Sequence, residues 1–231
     1  MRRKTFAVDI DGTITENGGG RIHLGALNSL RHMKKLGHNV ILVSGRSSVE
    51  AYLLGVFGGL DTIGVGENGG CVTYGSNDHQ LIGNKKTCIE ALTLIKNKIN
   101  NVREKPVFPR LTEVVLERTF DIFDAQNIVK NASLDVALAD SQYAIHINSS
   151  GIDKTTGFKE VMKKLGVNSE DVIAIGDSET DVPLFKLAKF SIAVGNAFDN
   201  VKSHASMVTS SNSGDGVIEA LDKIAPNLSE L

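Results

Sequence analysis

Two aspartates stand two positions apart in the segment Ala7-Val8-Asp9-Ile10-Asp11-Gly12-Thr13, just where an apolar run stops. A buried strand rarely ends in paired acids unless something positive meets them. Two other apolar runs end in polar signatures: Val43 leads into Ser44-Gly45-Arg46, and Ile175 into Gly176-Asp177-Ser178-Glu179-Thr180-Asp181. Lys154 sits just before a helical stretch. Taken singly, each has a plain reading. Ser44 could cap a helix, Asp177 and Asp181 could do the same, and Lys154 could be a solvated surface residue. Taken together, four aspartates, a serine and a lysine would converge. Two carboxylates about 4 Å apart repel by roughly 4 kcal/mol at an effective dielectric of 20. Several such pairs raise pKa values or destabilise the fold unless a cation neutralises them. No histidine or cysteine ligand spacing supports zinc. Oxygen ligands alone favour Mg²⁺, which usually completes its shell with water and substrate phosphate. Ser44, Lys154 and the backbone N–H groups of Gly45 and of the loop after Asp9 would then hold phosphate oxygens. These residue types are suited to a phosphoryl group beside a divalent metal.

The elements that must position these groups follow from periodicity. Thr5 to Ile10 reads as a strand buried on both faces. Leu24, Leu27, Leu30, Met33 and Leu36 recur at helical spacing and are stopped by Gly37. Asn39 to Val43 is a second strand, Ser47-Ser48-Val49-Glu50 a capping box opening a helix through Phe57, and Thr62 to Val65 a third strand. After Glu67 the rhythm changes. Cys71 to Tyr74 and Gln80 to Ile82 read as a hairpin, and a helix follows with Cys88, Leu92, Ile95 and Ile99 on one face. A strand (Thr112 to Leu116), a helix (Phe123 to Lys130) and two strands (Asp135 to Ala139, Tyr143 to Asn148) come next. The short Asp140-Ser141-Gln142 link requires that last pair to be antiparallel. The doubly wound rhythm then returns: a helix from Thr155 to Leu165, the strand Val172 to Ile175, and a helix from Val182 to Ala188. The strand Ser191 to Val194, the run Met207-Val208-Thr209 and a closing helix from Gly216 to Ile224 complete the chain. The expected fold is α/β, a doubly wound parallel-sheet (Rossmann-like) core with an inserted α+β cap domain carrying an antiparallel sheet. Residues 1–83 and 154–231 are expected to form the core and 84–153 the cap. In such a core the carboxyl ends of the strands share one edge, where ligands bind.

The constellation resembles the haloacid dehalogenase-like phosphatases. Their four motifs match here as DxDGT at Asp9, strand-Ser-Gly at Ser44, Lys154, and GDxxxD over Asp177 to Asp181. Within that family, the small cap preceded by Glu67-Asn68-Gly69-Gly70 is similar to archaeal phosphoglycolate phosphatases. The resemblance implies Asp9 as the nucleophile forming an aspartyl phosphate, and Asp11 as general acid and then base. It implies Mg²⁺ held by Asp9, Asp177, Asp181 and the Asp11 backbone carbonyl, with Ser44, Gly45 and Lys154 on the phosphoryl group. The implied substrate is a small phosphorylated metabolite, 2-phosphoglycolate first; a sugar-phosphate phosphatase or mutase of the same superfamily and a phosphoaspartate signalling module are the alternatives. Arg110, at the start of a cap strand, is the candidate for a substrate carboxylate, because its fork suits bidentate pairing. Thr180 and Thr155 depart from the family's commoner asparagine and glycine at those places.

Composition excludes other classes. Hydrophobic content of 41% and charged content of 23% describe an ordinary globular protein. A net charge of −2 offers no general attraction to nucleic acid or anionic membrane. No apolar stretch reaches membrane-spanning length. The opening Arg2-Arg3-Lys4 precedes a strand rather than a secretory h-region, so a cytoplasmic location is expected. The two cysteines, Cys71 and Cys88, are far apart and expected to be reduced and structural. Gly64-Val65-Gly66-Glu67-Asn68-Gly69 matches the dinucleotide fingerprint, but a strand rather than a helix follows it, so no helix N-terminus awaits a pyrophosphate.

Overall fold

The computed structural model describes residues 3–16, 20–141 and 143–228; Arg2 and Gln142, named above, lie outside them. The first apolar run forms β1 (Thr5–Val8), buried at all four positions. It ends earlier than periodicity suggests. Ile10 stays buried, but its carbonyl accepts from the N–H groups of Thr13 and Ile14 in a turn. There follow α1 (Leu24–Lys35), whose apolar stripe packs Leu30 and Met33 inward, and β2 (Asn39–Val43). The capping box is present: Ser47 accepts from the Glu50 N–H and Glu50 from the Ser47 N–H, opening α2 (Ser48–Gly58). Then come β3 (Gly64–Gly66) and the hairpin of β4 (Cys71–Gly75) and β5 (Asp78–Leu81). The next segment holds α3 (Lys85–Lys96), β6 (Val114–Leu116), α4 (Ile122–Asn131), β7 (Val136–Asp140) and β8 (Ile145–Ser149). The chain continues through α5 (Lys154–Leu165), β9 (Val172–Gly176), α6 (Val182–Leu187) and β10 (Phe190–Ala193). It closes with α7 (Asp199–Lys202), β11 (Met207–Val208) and α8 (Ser213–Ile224). One-turn α7 is too short to carry a periodic signal, and the sequence reading has no counterpart for it.

These elements build an eight-stranded sheet, ordered β11-β10-β9-β1-β2-β3-β4-β5, and a separate three-stranded sheet, β6-β8-β7. From β11 to β3 the large sheet is parallel, while the β4–β5 hairpin extends it in antiparallel fashion. The small sheet is antiparallel throughout. Strand alternation divides the core into two layers. Phe6, Val8, Val40, Leu42, Ile173 and Ile175 face α1 and α8, while Ala7, Ile41, Val43, Val172 and Ala174 face Phe158 of α5. A third cluster packs Cys88, Leu92 and Ile95 of α3 and Val129 of α4 against the small sheet. Cys71 and Cys88 are free and buried, and burial pushes both thiols up to about 11, so they are protonated packing groups at neutral pH.

The topology decides where chemistry can sit. From β1 the chain winds outward through β2 and β3, then returns to the other side of β1 as β9 and winds outward through β10 and β11. The order reverses at β1 and β9, and a crevice opens outside the carboxyl ends of strands flanking such a reversal. Register places Val8 beside Leu42 and Ile175, and the Asp9 N–H donates to the Ile175 carbonyl at 3.0 Å. The residues that follow β1, β2 and β9 therefore share one edge.

Candidate active site

At that edge Asp9 is 3% exposed and Lys154 2%. Lys154 opens α5 behind its N-cap Asp153 and reaches across to the strand ends. Its Nζ donates to Asp9 Oδ1 at 2.6 Å and to Asp181 Oδ1 at 2.7 Å. The second Asp181 oxygen accepts from the N–H groups of Asp177 and Ser178 and from the Ser178 hydroxyl. Asp9, Asp177 and Asp181 each bring a carboxylate oxygen within 4.8 Å of the others. Burial opposes the charge of Lys154, but Asp181 and Asp9 outweigh it and push the lysine's pKa up. Burial likewise raises Asp9, with Lys154 opposing and Asp181 and Asp177 adding to the rise. Asp177 is pushed up to about 6, by burial first and Asp181 second. The charge count explains this: three carboxylates meet one ammonium, and the remaining negative charge calls for protons or a cation. The donor set is all oxygen, which fits a hard dication such as Mg²⁺.

Ser44 is 1% exposed at the end of β2, its N–H bonded to the Val65 carbonyl and its Oγ accepting from the Arg46 N–H. Asp11 does not join the three-acid cluster. Its carboxylate is gripped by Arg46, Nε to Oδ2 and Nη2 to Oδ1, both at 2.7 Å. Arg46 is itself held from behind by Glu50, Nη1 to Oε1 at 3.2 Å. The Asp11 hydrogen bonds, against the cost of burial, push the guanidinium pKa up.

Arg110 is no surface arginine: its side chain is 8% exposed, Nη1 donates to the Gly45 carbonyl at 3.0 Å, and Glu113 lies 3.6 Å away. It thus joins the Ser44-Gly45 turn to the segment leading into β6. Buried Glu67 makes the same connection more strongly. Its carboxylate accepts from the N–H groups of Leu111, Thr112 and Glu113 and from the Thr112 hydroxyl. Its own N–H donates to the Arg46 carbonyl, and the Asn68 N–H donates to the Ser44 carbonyl. Glu67, Asn68 and Gly69 all have positive φ, at 56°, 51° and 94°. A Cβ on Gly69 would lie 1.8 Å from the Asp153 carbonyl, so only glycine lets this left-handed turn touch the start of α5. The segment that mimics a dinucleotide fingerprint is a spacer between the Ser44 turn and the Lys154 helix.

Three contributors escaped the sequence reading. Thr13, quoted there only as part of its motif, donates to Asp177 Oδ1 at 2.8 Å and to Asp9 Oδ2 at 3.3 Å. Asn196, following β10, donates from Nδ2 to the Gly12 carbonyl and to Asp177 Oδ2, while its Oδ1 accepts from the Ser213 N–H. The signal was available: Gly195-Asn196 is a fourth strand end on the same edge. Arg46 sits beside Ser44 in the sequence, but nothing local shows that its partner is Asp11. The two departures also have places. Thr180 Oγ1 bonds the Ser178 hydroxyl, which in turn holds Asp181, and Thr155 Oγ1 bonds the N-cap Asp153.

The model of the haloacid dehalogenase-like hydrolase family matches residues 6–132 and 112–221. The chain belongs to that family. A Nitrosopumilus maritimus protein named phosphoglycolate phosphatase is 64% identical over 231 residues, covering 100% of both chains. One of the same name from Methanosarcina acetivorans is 35% identical, covering 98% of this chain and 99% of its own. Among solved structures, a Thermoplasma acidophilum protein matches with a TM-score of 0.86 at 23% identity, over 97% of this chain and 99% of its own. A haloacid dehalogenase-like hydrolase from Bacteroides thetaiotaomicron matches at 0.78 and 19%, over 96% and 100%. This hydrolase therefore has the family's doubly wound core and inserted cap. Among the described residues, no helix is long and apolar enough to cross a membrane.

Proposed function

We propose that this hydrolase is a phosphatase of small phosphate monoesters, with 2-phosphoglycolate as its first candidate substrate, and that it works with Mg²⁺ through an aspartyl phosphate on Asp9. The observation that carries the reading is the buried Asp9 carboxylate, pinned by Lys154 inside a three-acid cluster that one ammonium does not neutralise. The names of the two relatives favour the substrate.

Asp9, Asp177 and Asp181, with the Asp11 backbone carbonyl, would hold the metal, which when bound offsets charge on the cluster and on the phosphoryl oxygens. The remaining roles belong to the chain. Lys154 orients Asp9 through Oδ1, and Oδ2, which accepts only the long 3.3 Å contact from Thr13, is the attacking atom. A bond forms from Oδ2 to phosphorus as the bond to the ester oxygen breaks, and Asp11 gives that oxygen its proton. Water then attacks phosphorus and loses its proton to Asp11, and the bond to Asp9 breaks to release phosphate. Ser44, whose Oγ accepts from the Arg46 N–H, keeps its hydroxyl proton for a phosphoryl oxygen, with the Gly45 N–H beside it. Arg110, bonded through Nη1 to the Gly45 carbonyl and enclosed, shapes this turn in our reading.

Assay against a panel of phosphate monoesters, with and without Mg²⁺, tests the activity. Asp9→Asn is expected to cut turnover by about a thousandfold or more, since the attacking oxygen is lost. Full activity in that variant would remove Asp9 from the nucleophile's role. Repeated turnover by the wild type separates a phosphatase from a module that only stores the phosphoryl group.

A further inference from the structure

We propose that the Arg46 guanidinium is the receptor for a carboxylate on the substrate, and that the Asp11 carboxylate occupies this receptor in the absence of substrate. The proposal rests on the phosphatase reading above. Its geometry is a complete fork: the Nε and Nη2 edge of Arg46 meets both oxygens of one carboxylate at 2.7 Å, the arrangement that suits a planar carboxylate. The fork survives the departure of Asp11, because Nη1 is held separately by Glu50, which the Ser47 capping box fixes at the start of α2.

Two requirements on Asp11 make the exchange necessary. As the group that protonates the ester oxygen and later accepts a proton from water, it must present a free oxygen at the phosphoryl group. In the structure both of its oxygens are taken. Something must displace it, and a second carboxylate is the group with matching charge and shape. A phosphate monoester of a 2-hydroxy acid carries its carboxylate one carbon beyond the ester oxygen, which Asp11 must reach. Such a substrate brings its displacing group to the right place, releasing Asp11 as it binds. The site is open to it: the side chains of Arg46 and Asp11 are 37% and 42% exposed. Arg110, the other candidate, is 8% exposed; its Nη1 is bonded to the Gly45 carbonyl and its unpartnered Nε is buried, so a ligand reaches it less readily than Arg46.

The test compares 2-phosphoglycolate with 2-hydroxyethyl phosphate, which replaces the carboxylate by a neutral CH₂OH. Arg46→Gln is expected to lower kcat/KM for 2-phosphoglycolate about 10- to 100-fold more than for the neutral ester, mainly through KM, as loss of a charged bidentate contact predicts. Arg46→Lys, which keeps the charge without the fork, should fall between wild type and Arg46→Gln. Calorimetric binding in an Asp9→Asn background, with and without Asp11→Asn, supplies a readout free of turnover. Removing the internal competitor in that background should tighten 2-phosphoglycolate binding by a larger factor than 2-hydroxyethyl phosphate. Equal losses for both esters in Arg46→Gln, or equal tightening of both in Asp11→Asn, overturns the proposal. If the wild type hydrolyses neither ester, the 2-phosphoglycolate assignment fails, and the binding comparison still decides the role of Arg46.

Discussion

Around Asp177 the site depends on neighbours that do no chemistry themselves. Asn196 ties the carboxylate to the Gly12 carbonyl and to the start of α8, and Gly12 sits so close that a Cβ there would lie 2.2 Å from Asp177 Oδ2. Asn196→Ala leaves the Ser213 N–H and the Gly12 carbonyl without these partners and loosens Asp177 by removing the contact to Oδ2 while the Thr13 bond to Oδ1 remains. A loss of about 1–2 kcal/mol in stability is expected. The Mg²⁺ concentration for half-maximal activity should rise about 10- to 100-fold, as for other groups that orient a ligand. Urea unfolding and a Mg²⁺ titration of activity check the two effects separately. An unchanged Mg²⁺ requirement would show that Asn196 serves packing alone.

At the scale of elements, the left-handed Glu67-Asn68-Gly69 turn stands between the Ser44 turn, the Lys154 helix and the segment entering β6. Two non-glycine residues with positive φ cost on the order of 1–3 kcal/mol each, and four hydrogen bonds to the Glu67 carboxylate help offset it. Gly69→Ala adds both a left-handed penalty and a clash with the Asp153 carbonyl, so α5 must shift and carry Lys154 with it. At least about 2 kcal/mol of stability and most of the activity should be lost, measured by denaturant unfolding and ester hydrolysis. Glu67→Gln replaces an acceptor by an amide that faces donors, so the 111–113 backbone amides should exchange hydrogen faster while those of β1 and β9 stay protected. Uniform protection in that variant would mean that Glu67 does not fasten the segment.

For the molecule as a whole, the uncompensated acids predict a stability that depends on pH and metal. The Asp177 pKa is raised from 3.8 to about 6 in the fold, so its contribution is fully present below about pH 4 and lost as pH rises through 6. The difference is on the order of 2–3 kcal/mol. In a chelator, wild-type Tm relative to Asp177→Asn should fall between pH 4 and pH 7. Added Mg²⁺ should restore it at pH 7 and do little at pH 4.5, where the ligand is protonated. A wild-type-minus-variant difference that is flat with pH would show that the cluster is neutralised in some other way.

Much of this was legible in the chain itself. Strand runs such as Asn39–Val43, the Ser47 to Glu50 capping box and the polar endings after Val8, Val43 and Ile175 are local signals, because periodicity and capping act over a few residues. They determined the alternation of elements, the acidic strand ends and an all-oxygen site. What only the tertiary structure decided is which side chain each charge meets. Lys154 lies 145 positions from Asp9, Arg46 lies 35 from Asp11, and Asn196 lies 184 from Gly12. No local propensity encodes those distances. They arise because the sheet reverses its winding at β1 and β9, bringing the ends of distant strands to one edge, where burial makes every unpaired charge costly.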